Sequence, residues 1–463
     1  VDPPWFKTHS AAMLCFVLCL WALVQESLGS SVEKSWRFGA FIDGGSEGSR
    51  IYVLRWRPTD TPGSEIICPE VVGDSSVVPG VASFALQPGD VGSSLKPLLH
   101  YAMKLLHSEK DQWAKIPVFL RATAGMRLLF PDERESILEH IRSYFRTLPF
   151  HFRDDMASVA TGEEEGVFGW ISANYLMGNL KPDKVPTSQT TMGSLDLGGA
   201  SAQIVFMPQK STIQHAFPLH LGPHRIQLYS YSFLHFGVRE AAHRTASLVI
   251  SDALLAVQSE NTVSHPCFAK GYIYTPKFSY SGESFAPIQV QMNGTSDFSE
   301  CHALVKRIFD KDAPCLIEKC SFYGVYQPRV YEVPFLAFAH FAEVVADLGL
   351  PVDAQLQDVL IATRYVCSLT LAQLEMLFAR VGDEYDRTHL CFHATFAYTL
   401  LHFGYDLQAN QIMFKSNHGG KPIDWAVGAM IYEINQDPAL AAPLSALSVA
   451  TSTSANRSEV RFV

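Results

Sequence analysis

One short arrangement occurs twice along the chain. At Asp43-Gly44-Gly45-Ser46 an apolar run ends in an aspartate and a glycine-rich turn, and a second apolar run, Ile51 to Leu54, follows. At Asp196-Leu197-Gly198-Gly199-Ala200-Ser201 the same order recurs ahead of Gln203-Ile204-Val205-Phe206. The flanks are rich in strand formers, so each copy reads as a tight β-hairpin. A repeat of this kind argues for two related halves and so restricts the fold more than any single motif. Glycine in such a turn permits positive φ and removes side-chain bulk, which lets backbone N–H groups converge on an anion. Read singly, either turn is an ordinary glycine hairpin. Read as a facing pair, the two become a clamp for a polyphosphate. Asp43 and Asp196, at strand ends, would then hold a hard divalent cation, Mg²⁺ or Ca²⁺, directly or through its waters.

A chain of 463 residues exceeds what one core spans, so two lobes are expected. Its net charge of −10 argues against a nucleic-acid partner, which requires a basic footprint. An anionic substrate must therefore be held by local groups and a metal, against the field of the whole molecule. Lys7 precedes an apolar run of fourteen residues, Ala11 to Val24, followed by small residues suited to cleavage near Gly29 or Ser30. That length suits a signal peptide, with an uncleaved signal anchor as the alternative. A secreted or secretory-lumen protein is expected, with membrane anchoring through the N-terminal segment only.

The cysteines agree with that compartment. Of nine, Cys15 and Cys19 fall in the leader, and Cys267, Cys301, Cys315, Cys320, Cys367 and Cys391 all fall in the second half. Six can pair in fifteen ways. The short loop between Cys315 and Cys320 favours that pair and leaves Cys267 with Cys301 and Cys367 with Cys391 as the local solution, with Cys68 buried and free. The lack of paired C-x₂-C arms argues against zinc. Asn293-Gly294-Thr295 and Asn456-Arg457-Ser458 are glycosylation acceptors for a chain that enters the secretory pathway.

Strand-like stretches at 38–56 and 116–121 alternate with helix-like stretches at 91–107, 131–147 and 163–177, which predicts an α/β protein. The expected organisation is a leader at 1–30, lobe I at 36–161, lobe II with the disulfides at 162–423, a helix at 424–436 returning to lobe I, and a flexible tail at 437–463. Two further stretches carry chemistry. Thr123, Ala124 and Gly125 end a strand in an N–H-rich turn that can receive phosphate. Glu163-Glu164-Glu165 opens a helix, where acidic residues are ordinarily a solvated first turn favoured by the helix dipole. Beside two phosphate turns, one of the three becomes a candidate base for water.

In chain order, "DGGSEGSR", "RATAGMRLL", "TGEEEGVFGWISANYLMGNL", "LDLGGASAQIVF" and "IDWAVGAM" resemble the five conserved regions of the apyrase or nucleoside triphosphate diphosphohydrolase (NTPDase) family, and "SFLHFG" and "CSFYGVYQP" resemble further family segments. The resemblance implies an actin/Hsp70/sugar-kinase-like (ribonuclease H-like) fold, with the nucleotide between two α/β lobes. It also implies Ca²⁺- or Mg²⁺-dependent removal of terminal phosphate from nucleoside di- or triphosphates. By position, Glu165 matches the catalytic base, and Ser201 and Gln203 match the residues that place the attacking water. Asp43 and Asp196 match the aspartates around a hydrated metal, with Trp425 nearby. Ser46, Glu47, Gly48, Thr123, Ala124, Gly198, Gly199 and Ala200 match phosphate-binding positions, and Arg239 and Phe338 are the candidates for the nucleobase.

The chain also departs from the family. Glu47 stands where a Ser or Thr is usual, and its carboxylate would meet phosphate unfavourably unless it swings out or engages the metal. Glu47→Thr is accordingly expected to be at least as active as the parent. Gly44 replaces a usual alanine, and tyrosines expected to clamp the base give way to Ala342 or Glu343 and to Leu390. Rival readings are a kinase or exopolyphosphatase of the same fold, and a catalytically silent nucleotide-binding protein.

Overall fold

Both repeats close as hairpins in the computed structural model, which describes residues 35–181, 184–255, 262–275, 290–317 and 319–444. The leader with Cys15 and Cys19, and the acceptor Asn456, lie outside the described residues. Strands β1 (Arg37–Gly44) and β2 (Ser49–Trp56) pair antiparallel, with Asp43 opposite Arg50 and Gly44 opposite Ser49. Further along the chain come β3 (Glu70–Val77), helix α1 (Val91–Leu105), β4 (Val118–Ala122), the short α2 (Ala124–Arg127), α3 (Pro131–Phe145), β5 (Ala157–Val159) and α4 (Gly162–Leu176). The five strands form one sheet in the order β3-β2-β1-β4-β5, with β4 parallel to β1.

The second half repeats this plan. Strands β6 (Gly193–Leu197) and β7 (Ser201–Phe206) make the second hairpin, with Asp196 opposite Gln203. They are followed by β8 (Ala216–Leu221), β9 (His224–Leu234) and α5 (Val238–Leu255). A small sheet of β10 (Thr262–His265), β11 (Ile273–Tyr274) and β12 (Gln291–Gly294) precedes β13 (Phe335–Ala339), α6 (His340–Asp347), α7 (Glu384–Thr399) and β14 (Ile412–Phe414). The large sheet reads β14-β13-β6-β7-β9-β8, with β13 parallel to β6. With β8 set aside as an added edge, both sheets share one order: third, second, first, fourth and fifth strand. The expected two-lobed, actin-like α/β fold is the observed one.

Strand pleating explains how the sheets bury both faces, because successive side chains point to opposite sides. Ala40, Ile42 and Val53 pack with residues of α1 and α3, whereas Phe41, Tyr52 and Leu54 turn the other way, toward α4 and α8 (Trp425–Gln436). In the second sheet, Ile204 and Phe206 enter one core while Val205 joins the core around α4. Helix α4 is apolar on nearly every side, as a helix packed between layers must be. Helix α8 lies against it so closely that a Cβ on Gly428 would stand 1.8 Å from the Phe168 carbonyl oxygen.

The chain beyond α8 differs from expectation in its first residues. Residues 437–442, assigned by sequence to a flexible tail, include helix α9 (Pro438–Ala441), with Asp437 as its cap. Trp56 Nε1 donates to the Leu440 carbonyl at 3.0 Å, and Arg37 Nη1 donates to those of Ala439 at 3.0 Å and Ala442 at 2.7 Å. The disulfides are Cys267–Cys301, Cys315–Cys320 and Cys367–Cys391, and Cys68 is a half-buried free thiol whose pKa burial pushes up to about 12.

Candidate functional site

The two hairpin turns face one cleft of about 390 Å³. In the first turn, the N–H groups of Gly45, Ser46, Glu47 and Gly48 donate to no backbone carbonyl among the described residues. Thr123 is fixed beside it by its N–H, which donates to the Gly44 carbonyl at 3.1 Å. In the second turn, the carbonyls point away from the cleft. Gly198 O accepts from Val238 N at 2.9 Å, Gly199 O from Arg239 N at 3.0 Å and Glu240 N at 3.2 Å, and Ala200 O from His235 N at 2.9 Å. The start of α5 thus occupies the carbonyl side of the turn, and the N–H groups of Gly199 and Ala200 are left without a backbone acceptor. Gly237 makes this possible, since a Cβ there would lie 2.2 Å from Ala200 N. Two arrays of unpaired N–H groups across a cleft are a site for anionic oxygen.

Helix periodicity sorts the glutamate triplet. Thr161 caps α4: its Oγ1 accepts from Glu164 N at 3.1 Å, and Glu164 Oε2 accepts from Thr161 N at 2.9 Å, a reciprocal capping box. Glu163 sits one helical step to one side of this pair, its carbonyl accepting from Ser230 Oγ at 3.0 Å. Glu165, one step to the other, turns inward and is 7% exposed. Arg127 Nη1 and Nη2 each lie 2.9 Å from Glu165 Oε2, and Nη2 donates to Ser201 Oγ at 3.2 Å. Gln203 Nε2 donates to Ser201 Oγ at 2.7 Å and to Ser232 Oγ at 3.0 Å. A hydroxyl that accepts twice has its own hydrogen left to donate. Gln203 Oε1 is buried without a partner. Burial raises the Glu165 pKa, and the Arg127 guanidinium pulls it back down.

Asp43 and Asp196 end the first strands of the two hairpins, and both line the cleft. Burial, reinforced by repulsion from Asp424 and Glu165, holds both carboxyls well above the usual carboxylate range. Asp43 Oδ1 has no hydrogen-bond partner. Asp424 comes from the cap of α8, where Oδ1 accepts from Ala426 N at 2.8 Å and Oδ2 from Tyr52 Oη at 2.8 Å. Hard oxygen donors crowded together, one of them orphaned, suit a divalent cation. Among the described residues no three such side chains converge to ligate an ion directly. Trp425 forms part of the wall, edge-on to Phe41 at 5.8 Å and stacked on Phe168 at 6.5 Å.

The nucleobase candidates separate. Phe338 borders the cleft but is 1% exposed, and its ring packs against α4 where a Cβ on Gly169 would stand 2.8 Å away. Leu390 lies in an apolar cluster with Phe378 and Val381, and Ala342 is buried. Arg239 is placed differently: its Nε lies 2.6 Å from Glu47 Oε1, and its guanidinium lies over the Tyr385 ring at 5.1 Å. Glu47 therefore does swing out, toward the other lobe.

Sequence reasoning passed over Arg127, Asp424, Ser232 and Tyr385. The first three lie inside the quoted motifs or at their edge, and Tyr385 immediately precedes the stretch in which a tyrosine was expected. The available signals were a charged residue closing the "RATAGMR" turn and an aspartate in helix-capping position before Trp425.

The family model described as GDA1/CD39 (nucleoside phosphatase) matches residues 30–450. Ectonucleoside triphosphate diphosphohydrolase 3 of Homo sapiens is 31% identical over 87% of this chain and 79% of its own length. Probable apyrase 4 of Arabidopsis thaliana is 30% identical over 92% and 87%. Guanosine-diphosphatase of Saccharomyces cerevisiae is 28% identical over 89% and 83%. Among solved structures, a nucleoside triphosphate hydrolase from Neospora caninum superposes with a TM-score of 0.65 at 16% identity, covering 93% of this chain and 98% of that one, which supports the fold.

Proposed function

The chain belongs to the GDA1/CD39 (nucleoside phosphatase) family and is a nucleoside phosphate hydrolase, and on that premise we propose that it removes the terminal phosphate of nucleoside di- and triphosphates with a divalent cation, in the secretory lumen or outside the cell. One observation carries the mechanism: Arg127 ties Glu165, in the first turn of α4, to Ser201 and so to Gln203, beside two turns whose N–H groups lack backbone acceptors.

The substrate's terminal phosphate lies between the N–H groups of residues 45–48 and those of Gly199 and Ala200. Charge develops on its oxygens during transfer, and preorganised N–H groups stabilise that charge without reorganising. Ser201 and Gln203 hold the water in line, and Glu165 accepts its proton. Arg127 keeps Glu165 ionised in the buried cleft and orients Ser201. Mg²⁺ or Ca²⁺, held through its waters by Asp43 and Asp196 with Asp424 behind, would neutralise phosphate charge. The compartment is supported by the three disulfides and by exposed Asn293, which offers its acceptor to glycosylation. Among the described residues no helix is long and apolar enough to cross a membrane.

The test is phosphate release by the purified protein from nucleoside di- and triphosphates with Mg²⁺, with Ca²⁺ and with chelator. Release that stops with chelator is expected. Nucleotide binding without any release would replace this reading with that of a silent binding protein.

A further inference from the structure

We propose that Glu47 is a specificity-determining residue: by holding Arg239 against Tyr385, it makes substrate capture depend on the nucleoside and not on the phosphates alone. The inference rests on the nucleoside phosphate reading above.

Glu47 is an acid in the middle of a turn whose N–H groups otherwise await an anion. Unpartnered, it would compete with the substrate. In the structure its Oε1 meets Arg239 Nε at 2.6 Å, across the cleft from one hairpin turn to the helix behind the other. The Glu47 carboxylate lies against the second turn, because a Cβ on Gly199 would lie 2.3 Å from Glu47 Oε1 and 2.7 Å from Ser46 Oγ. Arg239 is already tied to the second turn through its own N–H, which donates to the Gly199 carbonyl at 3.0 Å.

The Arg239 side chain is long and 49% exposed, so left alone it would sample many rotamers. Two contacts restrict it instead, the ion pair with Glu47 at its Nε and the face of the Tyr385 ring, whose centroid lies 5.1 Å from its Cζ. A guanidinium layered on a phenol presents a flat, polarisable face, which is what a heteroaromatic base stacks on. It lies beside the second turn, within reach of the nucleoside end of a substrate whose phosphates lie between the turns. Glu47 therefore acts through Arg239. The sequence-based expectation for Glu47→Thr reverses, because that exchange also releases the arginine.

Glu47→Gln, Glu47→Thr, Arg239→Ala and the double variant Glu47→Gln/Arg239→Ala distinguish the roles. The quantities to measure are kcat and KM for a nucleoside diphosphate and the inhibition constant of inorganic tripolyphosphate, which has phosphates but no base. For Glu47→Gln and Glu47→Thr, KM should rise about fivefold, the scale of a partly exposed ion pair. Over the same comparison kcat should change much less, and tripolyphosphate should inhibit as well as before or better. Glu47→Gln should add nothing once Arg239 is Ala. The inference is overturned if KM falls, if tripolyphosphate weakens in step with the nucleotide, or if the two losses add. Should the parent release no phosphate from any nucleotide, the activity reading fails; displacement of a fluorescent nucleotide by diphosphate and by tripolyphosphate then tests Glu47 on the same ratio.

Discussion

At the scale of residues, the cleft shows one carboxylate selected from three. Glu164 is used by the helix cap, Glu163 lies aside, and Glu165 meets Arg127, which in turn donates to Ser201. Glu165→Gln should lower turnover by about 10²- to 10⁴-fold while nucleotide binding survives, and Glu163→Gln should retain most activity. Arg127→Met should lower the rate and also move the acid limb of the kcat–pH profile. Arg127 holds the Glu165 pKa down against burial, so removing it lets that pKa rise and shifts the limb to higher pH. A limb that stays in place would mean that a different group titrates. Glu165, Ser201 and Gln203 were legible because a motif named their positions. Arg127 was not, since an arginine closing a turn has the same appearance whether it faces water or a buried acid. The outward swing of Glu47 was one of two stated alternatives, but its partner lies in the other lobe, and spacing along the chain carries no trace of that pairing.

Among the elements, the second hairpin turn owes its orientation to the start of α5. Gly237→Ala would drive a Cβ to 2.2 Å from Ala200 N and push that helix off the turn. Turnover should be lost with the protein still folded, whereas Gly89→Ala, whose Cβ would meet nothing within 4 Å, serves as the control. Comparing phosphate release and circular dichroism for the two variants tests this. Hairpins and amphipathic helices were readable because their periods are local: the structure has α1 at Val91–Leu105 and α3 at Pro131–Phe145, against expected 91–107 and 131–147. The segment 437–442 was misread for the complementary reason. Pro, Ala and Leu without periodicity look like tail, and the carbonyls of residues 439–442 find their partners in Trp56 and Arg37 of the first sheet and in Thr59 just beyond it.

For the whole molecule, the buried histidines set an acid limit. His265, stacked on Phe268 at 3.8 Å, is lowered by burial to about 3, and His389 likewise to about 4, from an ordinary 6.5. Both are neutral in the fold, so the unfolded chain binds more protons once pH drops below 6.5. Their contribution is intact above that value and is lost progressively down toward the folded pKa values. At pH 4.5, two units below the ordinary value, the loss is on the order of 3 kcal/mol per ring. Calorimetry should therefore find a lower Tm at pH 4.5 than at pH 7. Asp347, raised by burial to about 6, acts in the opposite sense, so the diagnostic variant is His265→Phe, which keeps the stacking and should flatten the slope.

The repeated strand order places the two turns opposite each other, but the cleft is completed by the segment that comes last in the fold. Asp424, Trp425 and α8 follow both sheets in the chain, and α9 then fastens to β1 through Arg37 and to β2 through Trp56. During synthesis, both hairpin turns and Glu165 leave the ribosome before the wall bearing Asp424 does. The wall of the cleft is thus complete only when the end of the fold returns to its beginning, and a chain cut short before Asp424 would keep both turns and Glu165 but lack that wall.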